Sequence, residues 1–191
     1  MKKQPELTAQ TKENLMGAFW QIYCERGLEK ITVKEITAKA GYNRSTFYEY
    51  FTDVYDVLDQ IENSLLPAPQ DLPPLSLTNI STAQLPIDTF IRMYEKNRKY
   101  YIVLFGDNGD SSFQSKIKNN LKAMVKKILI ARGVDDDYEL DFTLEYMLSA
   151  MIGVLSYWFR LEVTPPKDRL LELMYDLMNH GVRHKLTTEG A

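Results

Sequence analysis

Along most of this 191-residue chain, apolar residues recur every three or four positions, the spacing of helices that bury one face. Leu15, Ala18, Phe19 and Ile22 make such a stripe and predict a first helix from about Thr8 or Thr11 to Arg26, ended by Gly27. Thr32 and Glu35 have the Thr-x-x-Glu spacing of a capping box, so a second helix should begin at Val33. Ile36 and Ala40 share one face of it, and Gly41, suited to a positive φ, should stop it. Asn43 can cap a short third helix with Arg44, Ser45 and Thr46 in its first turn. There Phe47 and Phe51 point inward, leaving Arg44, Ser45, Thr46, Tyr48 and Tyr50 outside. Asp53 can cap a fourth helix, whose Val57 and Leu58 cover the back of the unit.

A helix, a glycine turn and a second helix could be a hairpin that only packs. The outer face of the short helix argues for more. It offers Arg, Ser, Thr and two tyrosines in place of the usual Glu/Lys mixture, and these donate to phosphates and base edges. A helix-turn-helix lays such a helix in the major groove of DNA. The run Gly41-Tyr42-Asn43-Arg44-Ser45-Thr46-Phe47-Tyr48-Glu49-Tyr50-Phe51 resembles the signature of the tetracycline-repressor (TetR/AcrR) family of transcriptional regulators. That signature reads Gly, apolar, Ser or Asn, two variable positions, Thr, apolar, Tyr, any, His or Tyr, Phe. The resemblance covers roughly residues 10 to 60. It implies base or backbone contact at Arg44, Ser45 and Thr46, phosphate contact at Tyr48 and Tyr50, and approach of the first helix, with Lys12, to the DNA backbone. With Thr32 and Asn43 at the helix starts, the candidate DNA-contacting set is Lys12, Thr32, Asn43, Arg44, Ser45, Thr46, Tyr48 and Tyr50. One position departs from the pattern. Where relatives usually have Lys in the first turn of the fourth helix, this chain has Val54 between Asp53 and Asp56, which predicts fewer phosphate contacts.

Beyond Leu66 the chain changes character. Pro67, Pro69, Pro73 and Pro74 preclude a regular helix. The expected division is a helix-turn-helix domain over 1–66, a proline-rich linker over 67–86 and a helical effector and dimerisation domain over 87–191. Segments from Ile87 to Leu104, Ser112 to Arg132, Tyr138 to Leu161 and from Thr164 as cap to about His184 read as helices, so the whole is all-α. In the second of these, Ile117, Leu121, Met124, Val125 and Ile128 face inward, and Lys116, Lys118, Lys122, Lys126 and Lys127 read as a solvated face. This half is similar in layout to the family's ligand and dimer domain. Near Phe105, Phe113 and Trp158 it is similar to a C-terminal domain frequent in regulators of low-GC Gram-positive bacteria.

Charge is unevenly divided. Residues 1–52 hold eight Lys/Arg against six Asp/Glu, and the rest fifteen against twenty, so the DNA-facing end is the positive one. The excess is small, which predicts modest non-specific affinity. The lone Cys24 excludes an internal disulfide, suits a reducing cytoplasm and is expected in the core of the first helix. Met1-Lys2-Lys3 leads into polar residues, without the look of a signal peptide, and no apolar run is expected to span a membrane.

Catalytic chemistry is hard to find. His180 and His184 stand four apart on one expected helix, but no partner ligand has suitable spacing, and their place near its C-terminal end fits the helix dipole. Asp135, Asp136 and Asp137 read as a capping turn rather than a metal loop. Neither a phosphate loop nor a nucleophile elbow occurs, and no cofactor or metal is expected. The chain therefore reads as a dimeric, ligand-responsive repressor of a palindromic DNA operator. Phe90, Tyr94, Phe105, Tyr146, Met147, Met151, Tyr157 and Trp158 are the candidates to line a site for a small apolar or aromatic effector. The last helix is apolar over more than one stripe, so Leu170, Leu173, Met174, Leu177 and Met178, with Leu155, are candidates for the homodimer seam. The alternative is a DNA-bound scaffold or co-regulator whose second domain binds a protein.

Overall fold

A computed structural model describes residues 5–68, 87–106, 109–161 and 165–188, with side chains placed over 7–68, 95–106, 109–110, 112–161 and 165–181. It divides into two compact units, Met1–Leu66 and Pro67–Ala191, and among the described residues every regular element is helical. Of the expected linker over 67–86, all but its first two residues, and also the Thr164 cap, lie outside the described residues.

The first unit contains α1 (Pro5–Arg26), a short 3-10 turn (Leu28–Lys30), α2 (Val33–Ala40), α3 (Arg44–Tyr48) and α4 (Val54–Leu65). Leu15, Ala18, Phe19 and Ile22 of α1 are buried, with Trp20 and Tyr23 beside them. Ile36, Phe47, Phe51, Val57, Leu58 and Ile61 bring the other helices into the same core. α1 starts earlier than its polar first turn suggested, and a proline is tolerated there because first-turn N–H groups have no helical partner. Cys24 corrects an expectation: it is exposed, because Trp20 and Tyr23 turn the buried stripe away from it. Its thiol pKa is raised, chiefly by partial desolvation and then by neighbouring Glu25, which disfavours the reactive thiolate.

The second unit contains α5 (Ile87–Phe105), α6 (Ser111–Ile130), α7 (Tyr138–Arg160) and α8 (Lys167–Thr188). Leu140, Leu144, Leu148, Met151, Ile152 and Leu155 form the buried face of α7. Phe105 sits in an aromatic cluster with Tyr101, Phe113 and Phe159, ring centroids 5.3–5.9 Å away. Ser156 is buried there, where its hydroxyl donates to the Phe105 carbonyl at 3.4 Å and accepts from Gln114 Nε2 at 3.3 Å. Asp137 caps α7, accepting from the Leu140 N–H at 3.0 Å, as the acidic turn implied.

Three expectations change. The lysines of α6 do more than solvate it. Lys118 and Lys122 both pair with Glu145 of α7, and Lys126 pairs with Asp136 at 2.7 Å and Asp141 at 3.0 Å. Sequence spacing could not show this, because the acids sit on α7 and in the turn before it. α8 is broken at Gly181 (φ 79°, ψ 165°), so His180 and His184 are not successive turns of one regular helix. α7 is long and apolar enough by length and composition to cross a membrane, with a mean hydropathy of 1.2 over its most apolar window, contrary to the expectation that no segment would be. Its inner face, however, packs within its own domain, as core helices of globular proteins do.

Candidate nucleic-acid interface

The turn between α2 and α3 is built from local capping. At the start of α2, Thr32 Oγ1 accepts from the Glu35 N–H at 3.3 Å, and Glu35 Oε2 accepts from the Thr32 N–H at 3.1 Å. Glu35 also accepts from Arg26 at 2.8 Å and from the Thr32 hydroxyl at 2.7 Å. The Arg26 bond first, and those from Thr32 next, hold its carboxyl below the ordinary Glu range. Gly41 then takes φ 77°, a conformation costly for any residue with a Cβ. The next residue, Tyr42, accepts from Asn14 Nδ2 at 3.0 Å, so α1 holds the turn from behind.

Asn43 is the hub of the short helix. Its Oδ1 accepts from the Thr46 N–H at 2.9 Å, the Ser45 hydroxyl at 2.6 Å and the Thr46 hydroxyl at 3.0 Å. Phe47 and Phe51 anchor the inner face, with ring centroids 5.3 Å apart. The outer face presents Arg44 and Ser45 exposed, Thr46 and Tyr50 half-buried, and Tyr48 exposed over 53% of its surface. At the start of α4, Asp53 accepts from the Asp56 N–H, and Asp56 accepts from the Thr52 N–H, each at 2.8 Å. The Gln60 amide first, and the Thr52 N–H next, hold the Asp56 carboxyl below its ordinary range. Tyr55 stands exposed beside Val54.

Of the eight candidate DNA contacts, Asn43, Arg44, Ser45, Thr46, Tyr48 and Tyr50 come together on and around α3. Thr32 has its hydroxyl proton engaged by Glu35. Lys12 is half-buried, with Nζ 6.0 Å from the Phe51 ring and near enough to Asp56 to help lower that acid's pKa. The Asn14–Tyr42 bond was not legible in sequence, because it joins residues 28 apart.

The effector candidates do not converge. Tyr146, Met147 and Met151 line an open groove of about 510 Å³ between α7 and α8, which Met174, Leu177 and Met178 complete. Phe105 belongs to the separate aromatic cluster, and Tyr157 stands exposed. Trp158 is half-buried, its Nε1 donating to the Pro165 carbonyl at 3.0 Å. The side chains of Phe90 and Tyr94 lie outside the described residues. Among the dimer candidates, Leu155, Leu170 and Met174 are buried within their own unit, whereas Leu173 reaches the surface and Leu177 and Met178 are half-buried.

Comparison with known proteins agrees with this geometry. Residues 20–61 match the family described as "Bacterial regulatory proteins, tetR family", and residues 82–180 match "Transcriptional regulator C-terminal region". The chain is 33% identical over 61 residues to the HTH-type transcriptional repressor BepR of Brucella suis biovar 1, a stretch covering 32% of this chain and 29% of that protein. It is 32% identical over 62 residues to the uncharacterized HTH-type transcriptional regulator YvdT of Bacillus subtilis, covering 32% of each. These matches thus span about a third of either relative. Similar folds occur in a TetR transcriptional regulator from Streptococcus agalactiae 2603V (TM-score 0.65, 21% identity, 90% of this chain and 95% of that one) and in the fatty acid degradation regulator FadR from Bacillus halodurans (TM-score 0.58, 17% identity, 96% and 99%).

Proposed function

The chain belongs to the tetR family of bacterial DNA-binding transcriptional regulators, and from that premise we propose that it is a cytoplasmic, ligand-responsive repressor binding a palindromic operator as a homodimer. The observation that carries DNA reading is α3 itself: a short helix anchored by Phe47 and Phe51, with Arg44, Ser45, Thr46 and Tyr48 outward. Arg44 is the base reader, suited to the paired acceptors of guanine, while Tyr48 and Tyr50 hold phosphates. The capping bonds of Asn43 fix the helix before DNA arrives, so little ordering entropy is lost on binding.

Two such units must be joined to read two half-sites, and the small positive excess of the N-terminal part makes that avidity necessary. The repressor sense is supported by BepR, whose likeness to this chain lies in the DNA-binding part. An effector would bias the spacing of the two reading helices through the second domain. The dense packing of Phe105 with Tyr101, Phe113 and Phe159 favours a second reading, in which that domain is engaged by a protein. Footprinting on the chain's own upstream region tests the main reading, with two protected half-sites about one helical turn apart expected. A thermal-shift screen with small apolar compounds separates the readings: a ligand that raises Tm and releases DNA supports the switch, and an inert screen supports the scaffold.

A further inference from the structure

Hydroxyl protons of the expected DNA-contacting set are already placed before DNA arrives. Thr32 donates to Glu35 Oε2 at 2.7 Å, and Ser45 and Thr46 donate to Asn43 Oδ1 at 2.6 and 3.0 Å. At Asn43 the backbone fixes the direction of these bonds. The Thr46 N–H can only donate, and it meets the same Asn43 atom at 2.9 Å, so that atom is the amide oxygen and not the nitrogen. An amide oxygen only accepts, so the two hydroxyls must supply the protons. The Ser45 bond is the shortest onto that oxygen and holds its hydroxyl most firmly.

A serine hydroxyl ordinarily rotates to donate or accept as its partner requires. Exposed Ser45 does not have that choice: with its proton held, it offers only lone pairs. A phosphate oxygen is itself an acceptor and makes no bond to it. In the major groove, adenine N6 and cytosine N4 are amino donors where guanine O6 and thymine O4 are acceptors. We propose that Ser45 is a specificity-determining residue of fixed acceptor polarity, pairing with the amino group of adenine or cytosine and rejecting guanine and thymine, and that Asn43 sets that polarity. The inference rests on the DNA-reading role of α3 proposed above and names the base chemistry that one of its residues selects. Arg44, the preceding residue, has the opposite polarity, because a guanidinium only donates and so suits guanine. Neighbours in the first turn of α3 thus discriminate in opposite senses.

Selection from a library of random duplexes by wild type, Ser45→Ala and Asn43→Gly tests this. The wild type should enrich a motif in which one position favours adenine or cytosine over guanine and thymine by about fivefold or more, the worth of one hydrogen bond. Whichever of the two is enriched identifies the base. Ser45→Ala leaves the bond from the Thr46 N–H to Asn43 in place, so it should keep its helicity and the guanine preference expected of Arg44, and lose the amino preference at that position alone. Asn43→Gly puts a tolerated residue at the cap and frees the Ser45 proton, so guanine and thymine should be admitted at the same position. Should Asn43→Gly lose helicity, base analogues decide. Purine in place of the selected adenine, or 2-pyrimidinone in place of the selected cytosine, removes the amino group and should weaken wild type about fivefold more than it weakens Ser45→Ala. Equal weakening of both proteins overturns the proposal. A Ser45-dependent preference for guanine or thymine, or a Ser45→Ala motif identical to that of wild type, overturns it and leaves the DNA-binding regulator standing. Weaker binding of Ser45→Ala to all sequences alike makes Ser45 a backbone contact and overturns it too. A wild type that enriches no motif overturns the reading role of α3 along with it.

Discussion

In the proposed DNA-binding role, single side chains of the first unit divide into those that hold α3 and those that would read DNA. Phe47 and Asn43 hold α3; Arg44 projects from it. Arg44→Ala should cost roughly 1–3 kcal/mol on the operator and relax preference at one base pair, as measured by gel-shift titration against operator variants. Unchanged operator affinity would move the reading residue elsewhere. Glu35 makes a different prediction. Its folded pKa lies below its unfolded one, so it stabilises the fold at neutral pH, and that contribution is lost as pH falls through the folded value. Urea unfolding of wild type and Glu35→Gln should differ at pH 7 and converge in acid below the ordinary Glu range. A difference independent of pH would mean the Arg26 bond does not carry the effect. Cys24 shows where sequence misled at this scale. An amphipathic stripe gives the direction of a buried face, but its width is set by which neighbours arrive, here Trp20 and Tyr23.

Helices are joined here by devices of two ranges. The caps at Thr32, Asn43, Asp53 and Asp137 join residues three apart, so sequence spacing exposes them. The ladder between α6 and α7 joins residues far apart in the chain, which spacing cannot pair. Glu145 draws Lys118 and Lys122 together, and those bonds lower its pKa. Glu145→Gln should lower Tm at low salt by more than in 1 M NaCl, because screening weakens what the wild-type carboxylate supplies. Equal shifts at both salt concentrations would place the loss in packing. At the start of α4, half-buried Val54 stands between the two capping aspartates, with Tyr55 exposed. Val54→Lys should tighten binding to operator and random DNA together and steepen the dependence of log K on log salt by roughly one unit per dimer arm. An unchanged slope would mean that Val54 does not face the DNA backbone.

For the molecule as a whole, the function we propose needs two reading helices held at one spacing, so affinity should depend on protein concentration through assembly as well as through DNA. Binding isotherms on a full operator should be steep near the dimer dissociation constant, and a half-site should bind far more weakly. Comparable affinity for half-site and full operator would argue for an independent monomer. The sequence by itself determined the helical class, the helix-turn-helix and the identity of its outward face, because each rests on contacts within a few residues: capping spacing, a glycine at positive φ and the i, i+4 rule. It also showed that the second half carried more apolar surface than one helical layer needs. Which apolar residues remain uncovered was decided only by the tertiary structure. Leu155, Leu170 and Met174 read in sequence as seam and are buried in their own unit, while Tyr138, Phe142 and Tyr146 on α7 stand exposed. A helix's pattern gives its faces, but the partner each face meets is fixed by packing among residues distant along the chain.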